Sequence, residues 1–558
     1  MFLHYKKNDN ASLFKEIEAN TEMRQLQNYF PLYTRYFSIS DTNWNQFNLN
    51  QHYQLKHILK RDSSHHYEIQ LQNEQHTQKR TAFIKFSPLF DPLKYIIGKF
   101  KHDIFTLPEW KKTTNPVYDD PNNVAYVDAF FSYLSSQLLH RFGFPNAIDF
   151  YGCYLGIKHN FDYNACDDLD YIHNSTHFIE RNDLFKCNNP YIKELINMNT
   201  RKNKERLEIQ GDADEDIEIE DLLKPSERKE ALDTLFKPVE NMVIDTSANV
   251  ANVIYEHEQT TTKYTNDSDS ECSSRSSDTD ETQHTGIQSD STSSYDDSTA
   301  TEDEVIVQIT DFPVQMIVLE KLQDTLDAYL SENMDTLTTS EWMSILFQIV
   351  VSLYTYQKMF DMTHNDLHTN NIMYTHTDAE FIVYKINHRY FRIPTYNKIY
   401  KIIDFGRSIY TYQGQRHMSS SYAKTGDAVG QYNTAPYFDE NKRPIEPNYS
   451  FDLCRLACSL FDFLDDELDA DGEKTAHVKL VDTWIRDDKG KNILYKSNGK
   501  ERYPGFKLYK MIARLVHNHL PEKLLNDETF SMFLVSKSKL KKRKIIDVDE
   551  IVKQKDKI

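Results

Sequence analysis

The chain has 558 residues, more than one ordinary hydrophobic core accommodates, so we expect two lobes with additional segments. Its formal net charge of −20 argues against nucleic acid as a partner. The six cysteines form no CxxC pair, which favours buried thiols over a metal site, and no signal-peptide core or membrane-spanning apolar run is evident, so we expect a soluble intracellular protein without a membrane span.

The first elements along the chain predict a small sheet followed by a long helix. Residues 1–50 lack clear periodicity and are assigned as an N-terminal extension. Apolar residues recur three or four apart over 123–141, which predicts a helix that ends at Gly143. Three earlier runs have the composition and turn spacing of β-strands: 53–59, 67–71 and 81–86.

The middle of the chain interrupts this pattern. We interpret residues 157–304 as an insertion and assign it no partner. Between Thr265 and Glu304 there are twelve acids, one arginine, many serines and threonines, and almost no aliphatic residues. Such a composition cannot offset the entropy of ordering a chain, so we expect residues 265–304 to be disordered.

Apolar patterning resumes after the insertion. The runs 305–309 and 315–319 predict a pair of strands, and a helix is expected to begin at Asp324. Thr338 and Glu341 form a capping box, and a buried helix follows it and leads directly into His364.

Two short motifs carry the chemistry. Residues His364–Asn371 read HNDLHTNN, and Asp404 begins an Asp-Phe-Gly triplet after an apolar run. Phosphoryl transfer from a nucleotide requires one carboxylate to accept or orient the incoming hydroxyl. It also requires an amide oxygen and a second carboxylate to hold Mg²⁺ against the phosphates. Asp366, Asn371 and Asp404 supply this set, so ATP and Mg²⁺ are the predicted cofactors.

These motifs resemble the protein-kinase signature. The run Pro394–Tyr410, PTYNKIYKIIDFGRSIY, is similar to divergent serine/threonine-type protein kinases of large DNA viruses. The resemblance implies an α+β, bilobal protein-kinase-like fold, with a small β-rich N-lobe, a larger, mainly helical C-lobe and a long acidic insertion in the N-lobe. It implies transfer of the γ-phosphoryl group of ATP to serine or threonine hydroxyls of a protein substrate. A viral origin would place the protein in the host cytoplasm or the virion.

The resemblance also suggests roles for residues outside the two motifs. Lys85 ends an Ala-Phe-Ile-Lys strand and would bridge the α- and β-phosphates; the alternative is a solvent-exposed lysine at a strand edge. Glu320 and Leu322 stand at the hinge, whose backbone would bond the adenine edge. His364 and Asp452 would support the catalytic loop.

The sequence departs from the family pattern at several positions. The predicted helix lacks the glutamate that would pair with the strand lysine, and its only acid is Asp128, which the helix macrodipole explains equally well. The turn that should cover the phosphates contains no glycine. Asn365 replaces an arginine and cannot pair with an activation-segment phosphate, so activity is not expected to need such phosphorylation. Tyr437 replaces the glutamate of an Ala-Pro-Glu triplet, so the activation segment must be anchored by other contacts.

Two rival functions remain open. A pseudokinase scaffold is supported by the glycine-free turn and the missing helix glutamate, and is opposed by Asp366, Asn371 and Asp404. A small-molecule phosphotransferase is suggested by His368, because such enzymes have HxDLHxxN loops, although their second metal motif typically lacks Phe-Gly.

The predicted organisation assigns every part of the chain. The basic run Lys537–Lys544 in the tail predicts either a nuclear-import or anion-binding patch or a solvated end. The segments are an N-terminal extension (1–50), the first part of the N-lobe (51–156), the insertion (157–304), the end of the N-lobe with the hinge (305–323), the C-lobe (324–535) and a basic tail (536–558).

Overall fold

The computed structural model describes residues 5–7, 10–100, 103–112, 115–188, 305–469, 473–540 and 543–555. The predicted disordered segment 265–304 lies outside the described residues. The first nine strands are β1 (Tyr5–Lys7), β2 (Met23–Gln27), β3 (Phe47–Leu49), β4 (Gln54–Arg61), β5 (His66–Gln72), β6 (Thr77–Pro88), β7 (Phe150–Asn164), β8 (Phe185–Cys187) and β9 (Ile306–Glu320).

Seven of these strands form one antiparallel sheet. Its order is β2-β7-β9-β6-β5-β4, and β8 pairs with the first half of β9 on the side where β6 pairs with the second half. The register places Lys85 of β6 opposite Ile317 of β9, in the middle of the sheet. Strands β4, β5 and β6 cover the three predicted runs, because alternating apolar residues there bury one face, including Ile69 and Ile84.

Strand β9 corrects one prediction. The runs 305–309 and 315–319 are not a pair of strands; they belong to one 15-residue strand. The intervening residues stay extended because β7 pairs with them along its length, with Lys158 opposite Phe312 and Ile157 opposite Pro313. The predicted start of the insertion at 157 therefore falls inside β7, which continues to Asn164.

The N-terminal extension also contributes to this sheet, since β2 pairs with β7 at its edge. The helices of this half are α1 (Ala11–Thr21), α2 (Pro92–Ile96), α3 (Pro116–Asp119), α4 (Val124–Phe142), α5 (Leu169–Ile172) and α6 (Thr176–Glu180). Helix α4 matches the predicted helix within one residue at each end. Asn123 caps it by accepting a hydrogen bond from the Ala125 amide, and Gly143 ends it in the left-handed conformation.

The second half of the chain is mainly helical, with short sheets. Its helices are α7 (Leu326–Asn333), α8 (Thr339–Phe360), α9 (Phe451–Asp469), α10 (Ala476–Trp484), α11 (Lys507–Leu515), α12 (Pro521–Asn526) and α13 (Val548–Lys553). Helix α8 is buried along most of its length, and the Thr338 hydroxyl accepts a hydrogen bond from the Glu341 amide, as the capping box predicts.

The remaining strands are β10 (Asp324–Thr325), β11 (Ile372–His376), β12 (Phe381–Ile386), β13 (Arg389–Pro394), β14 (Lys398–Ile402), β15 (Ile409–Tyr412), β16 (Gln415–Met418) and β17 (Ile546–Asp547). Strand β17 pairs with the β12–β13 hairpin, so the end of the tail belongs to the fold and buries Val548 and Ile551. Across the ranges described above, no helix has both the length and the apolarity to cross a membrane.

Candidate active site

The two motifs meet because the strands that follow and precede them pair. Strand β11 leaves the HNDLHTNN loop and β14 leads into Asp404, and the ladder places Ile372 opposite Ile402. One step further, the Ile403 amide donates to the Asn371 carbonyl at 3.0 Å. An antiparallel pair of strands thus brings two motifs that are 33 positions apart in the chain to the same end of a ladder.

The loop backbone is held by a buried carboxylate. Asp452, in the first turn of α9, accepts hydrogen bonds from the His364 amide at 2.9 Å and the Asn365 amide at 2.7 Å. Burial raises the pKa of Asp452 against the lowering effect of those donors and of His364. Asn365 and Asp404 both have positive φ, 67° and 59°, a conformation that costs energy in non-glycine residues and that surrounding contacts must maintain.

Both ring nitrogens of His364 form hydrogen bonds to the backbone. Its Nε2 contacts the Ile403 carbonyl at 2.9 Å, and the Asp366 amide donates to Nδ1 at 3.3 Å. A carbonyl can only accept and an amide can only donate, so the ring is the neutral tautomer with hydrogen on Nε2. His364 therefore links the two motifs and has no ring nitrogen left for proton transfer.

Lys85 lies between two carboxylates. Its Nζ is 2.8 Å from Asp128 Oδ2 on α4 and 3.0 Å from Asp404 Oδ2. The Asp128 carboxylate reaches Lys85 although its side chain is shorter than the family's glutamate, and its Oδ1 also accepts from the Phe405 amide at 2.9 Å. Asp128 is 2 % exposed and Lys85 is 9 % exposed, so Lys85 is not a solvent-exposed lysine at a strand edge.

The charges of this triad are unequal. Burial raises the pKa of Asp404, but the charge and hydrogen bond of Lys85, together with the hydrogen bond from the Gly406 amide, oppose it, and the net shift is downward. Burial raises the pKa of Asp128, with the Asp404 charge adding to the rise and Lys85 opposing it. Asp404 is thus the stronger acid of the two carboxylates, which suits a metal ligand.

Asn371 uses its amide nitrogen internally. Nδ2 donates to the Asp366 carbonyl at 2.9 Å and to His368 Nε2 at 3.0 Å, which leaves Oδ1, the atom that can ligate a metal, outside those bonds. Burial lowers the pKa of His368 to about 4, so His368 is neutral at pH 7 and can accept at Nε2.

An amide oxygen and an ionised carboxylate suit Mg²⁺, which usually takes one or two protein ligands and completes its shell with phosphates and water. The described residues contain no cluster of three or more His, Cys, Asp or Glu side chains that could hold a metal without a substrate. The donor set therefore fits a magnesium ion delivered with a nucleotide.

Asp366 is almost completely buried, and its carboxylate contacts two residues that the sequence did not single out. The Tyr509 hydroxyl donates to Oδ1 at 2.9 Å, and Arg407 Nη1 lies 3.6 Å from the same oxygen. Burial would raise the pKa of Asp366, but the charge of Arg407, with smaller contributions from His368 and Arg455, lowers it to about 2. Tyr509 lies 143 positions from Asp366 and belongs to no motif, so no local signal pointed to it.

The glycine-free turn is held by side chains. The Ser63 hydroxyl accepts from the His66 amide at 3.0 Å, and the Tyr67 hydroxyl donates to the Ser64 carbonyl. His65 contacts the Ile84 carbonyl through Nδ1 at 2.9 Å, and its own carbonyl accepts from the Ile84 amide at 2.7 Å. The turn is therefore fastened to the strand that carries Lys85.

The hinge candidates differ in their contacts. The Glu320 amide donates to the Asp149 carbonyl at 3.1 Å, and its carboxylate pairs with Lys401, so much of Glu320 is committed to the fold. Leu322 is buried, and no backbone partner is found for its amide in the part of the chain that the structure describes. Of the two, Leu322 has the backbone more available to a ligand.

The segment 404–437 is anchored by hydrogen bonds that the sequence did not predict. The Tyr432 hydroxyl donates to Asn365 Oδ1 at 2.7 Å, and the Tyr437 hydroxyl donates to Asp120 Oδ2 at 3.0 Å. His417 of β16 is fully buried against the N-terminal extension, where it contacts the Tyr36 hydroxyl and lies 3.1 Å from Arg35 Nη1. The extension thus packs directly on the site's flank.

A comparison with known proteins gives a partial match. No protein-family model matches the chain. A stretch of 90 residues is 40 % identical to a probable serine/threonine-protein kinase of Dictyostelium discoideum. The match covers 15 % of this chain and 7 % of the Dictyostelium protein, so it indicates a kinase-like relationship over a short segment only.

Proposed function

We propose that this chain is a protein kinase that uses ATP and Mg²⁺ to phosphorylate serine or threonine hydroxyls of a protein substrate. The observation that carries the proposal is the convergence of Asp366, Asn371 and Asp404 on one end of the β11–β14 pair, with Lys85 3.0 Å from Asp404. The short match to a probable serine/threonine-protein kinase supports the same class of activity.

Each residue has a role in this mechanism. Asn371 Oδ1 and the Asp404 carboxylate would hold Mg²⁺, which neutralises phosphate charge when bound. Lys85 would contact the α- and β-phosphates. Asp366 accepts the proton of the acceptor hydroxyl as that oxygen bonds to the γ-phosphorus, while the bond to the β–γ bridging oxygen breaks and ADP leaves with the electron pair.

The low pKa of Asp366, about 2, suits orientation more than strong basicity. In a loose transition state the hydroxyl proton is lost late, so the carboxylate's main work is to align the oxygen with the phosphorus. We also propose a serine/threonine preference and a bilobal kinase fold, both on the basis of the motif resemblance.

One structural feature favours a second candidate, a pseudokinase scaffold. The turn over the site is fastened to Ile84 by His65 and contains no glycine, so its amides are less able to approach phosphates than those of a glycine-rich turn. The two candidates differ in whether phosphoryl transfer occurs.

The test is incubation of the purified chain with γ-labelled ATP, Mg²⁺ and a generic acceptor protein. Wild type should label serine or threonine, and Asp366→Asn should lose about 10²–10⁴-fold in rate while still binding ATP, because the amide cannot accept the proton. The matched control is Asp378→Asn, the same change at an exposed position, which should keep the wild-type rate.

Three outcomes would contradict the proposal in different ways. ATP binding without any transfer by wild type would favour the scaffold. Phosphotyrosine in the product would refute the acceptor class. Label found only on an added small-molecule alcohol or aminoglycoside would favour a small-molecule phosphotransferase.

A further inference from the structure

A tyrosine from a distant helix contacts the carboxylate that the proposed reaction depends on. Tyr509 lies on α11, is 4 % exposed, and donates its hydroxyl hydrogen to Asp366 Oδ1 at 2.9 Å. Its ring stacks on Phe506, with ring centroids 5.2 Å apart, and packs near Phe451 at the start of α9. These two ring contacts hold the Tyr509 ring in place, so its hydroxyl has a defined position.

The direction of this hydrogen bond is set by an arginine. Arg455 on α9 is 8 % exposed, and its Nε donates to the Tyr509 oxygen at 2.9 Å. Since a guanidinium has no acceptor, the Tyr509 oxygen must accept from Arg455. Since an ionised carboxylate has no hydrogen to donate, the phenol hydrogen goes to Asp366. The positive charge of Arg455 also polarises the phenol, which strengthens its donation to a carboxylate.

Helix α9 therefore holds both parts of the catalytic loop. Asp452, in its first turn, accepts from the loop amides, and Arg455, three residues later, supports the side chain of Asp366 through Tyr509. Spacing of three residues places the two side chains on one face of the helix. Loop backbone and loop carboxylate are thus positioned by a single rigid element.

The other residues near Asp366 do not already fill the role of positioning its carboxylate. His368 lies two residues after Asp366, and its Nε2 accepts a hydrogen bond from Asn371 Nδ2 at 3.0 Å. Arg407 is nearby at 3.6 Å, but its Nη2 is engaged by Asp427 at 2.7 Å. Among the contacts of the Asp366 carboxylate in the described residues, Tyr509 gives the one hydrogen bond within 3 Å.

We propose that Tyr509, held by Arg455, is a positioning residue for Asp366: it engages Oδ1 and so orients the carboxylate toward the acceptor hydroxyl. This inference rests on the proposed function. An alternative role for the phenol, occupying the acceptor's place until a substrate displaces it, predicts the opposite effect of its removal and is decided by the same experiment.

The experiment is a double-mutant cycle on phosphoryl-transfer rate. Tyr509→Phe keeps the ring and its packing and removes only the hydroxyl. The variant should lose about 10- to 100-fold in kcat, the rate equivalent of one hydrogen bond to a charged group. KM for Mg·ATP should stay unchanged, because the Tyr509 hydroxyl bonds to Asp366 and Arg455, neither of which is assigned to the nucleotide.

The decisive comparison uses the Asp366→Asn background. A residue that acts through Asp366 should have no further effect once the carboxylate is gone, so Tyr509→Phe should leave the residual rate of Asp366→Asn unchanged. The matched control is Tyr384→Phe, which removes another fully buried phenol hydroxyl, one that donates to Asn146 Oδ1 at 2.5 Å outside the site. This control should keep the wild-type kcat.

Two rate outcomes would overturn the inference. A higher rate in Tyr509→Phe would identify the phenol as a block on the acceptor site. An equal loss in both backgrounds would mean that the hydroxyl acts only on folding. If wild type binds Mg·ATP but transfers nothing, the proposed function fails. In that case, additive thermal midpoints of the same four variants would overturn the Tyr509–Asp366 coupling, and non-additive midpoints would support it.

Discussion

The contact between α4 and the strand lysine is open to a quantitative test at Asp128. The Asp128 carboxylate makes two contacts, with Lys85 Nζ at 2.8 Å and the Phe405 amide at 2.9 Å, and the side chain is almost fully buried. At an effective dielectric constant of 20, the Lys85 pair alone corresponds to about 6 kcal/mol of Coulomb attraction before desolvation is subtracted. Removing one partner of a buried pair typically costs about 3–5 kcal/mol.

Asp128→Asn should fall at the low end of that range. Lys85 keeps Asp404 as a partner at 3.0 Å, so its charge is not left unpaired, and the asparagine oxygen can still accept from the Phe405 amide. We expect a loss of about 3 kcal/mol in the free energy of unfolding. Asp128→Ala should lose about 1–3 kcal/mol more, because the Phe405 amide then has no acceptor.

Urea unfolding at pH 7 measures these differences. Asp183→Asn is the control, because Asp183 pairs with Arg181 at an exposed site, and it should unfold like wild type. Asp128→Glu tests the spacing from the other direction: the extra methylene must enter a packed position and should cost about 1–3 kcal/mol. Equal stability of the asparagine and alanine variants would refute the role of the Phe405 contact, and an unchanged asparagine variant would refute the buried pair.

Three further predictions follow from the same structure. Asp404→Asn should weaken Mg²⁺-dependent ATP binding and leave metal-free adenosine binding nearly unchanged; equal Mg·ATP affinity by calorimetry would exclude Asp404 as a metal ligand. In the folded protein the pKa of His368 is lowered to about 4, so between pH 6.5 and pH 4 this residue is protonated in the unfolded chain but neutral in the folded one. The free energy of unfolding should therefore fall toward pH 4, by up to about 1.4 kcal/mol per pH unit from this group. His368→Gln should remove that part of the slope, and an unchanged slope would contradict the assignment. A short Gly/Ser linker in place of residues 189–304 should shift the melting temperature by only a few degrees, because the Asn188 amide donates to the Ile306 carbonyl at 3.2 Å and the ends are already adjacent; loss of folded protein would contradict this.

Local patterns predicted the elements that depend on local forces. Helix α4 was predicted within one residue at each end, because its apolar spacing, its Asn123 cap and Gly143 all act within a few positions. The β12–β13 hairpin also depends on local forces, because Asn387 and His388 at its turn both have positive φ.

Long-range pairing was the main source of error. The residues between the two runs of β9 include Asp311 and Pro313, which are typical of a turn, and their extended conformation depends on pairing with β7. The sequence contains no signal for that partner. No helix or strand was predicted in the N-terminal extension for the same reason, since its Tyr36 contacts His417 only when β16 brings that residue against it.

The residues of the candidate site also fall into two groups, those that local motifs identify and those that only long-range contacts bring to the site. The motifs name Asp366, Asn371 and Asp404 because these residue types and spacings follow from the chemistry of phosphoryl transfer. Tyr509 and Arg455 were missed because the hydrogen bonds from Arg455 to Tyr509 and from Tyr509 to Asp366 constrain only where these residues lie in space, not where they lie in the sequence. In the sequence, a tyrosine in an amphipathic helix such as α11 cannot be distinguished from an ordinary core residue.

Contacts of the segment 404–437 hold the site in place although Asn365, a neutral residue, stands where the kinase pattern has an arginine. Asn365 cannot pair with a phosphate, but its Oδ1 accepts from Tyr432 within the fold. Because Arg35 donates to His417 Nδ1, the ring carries its hydrogen on Nε2 and donates to Tyr36, and burial lowers its pKa well below the usual value, so it stays neutral. These anchors form from unmodified side chains on folding. We therefore expect the activity, if the proposed function holds, to be independent of phosphorylation in this segment.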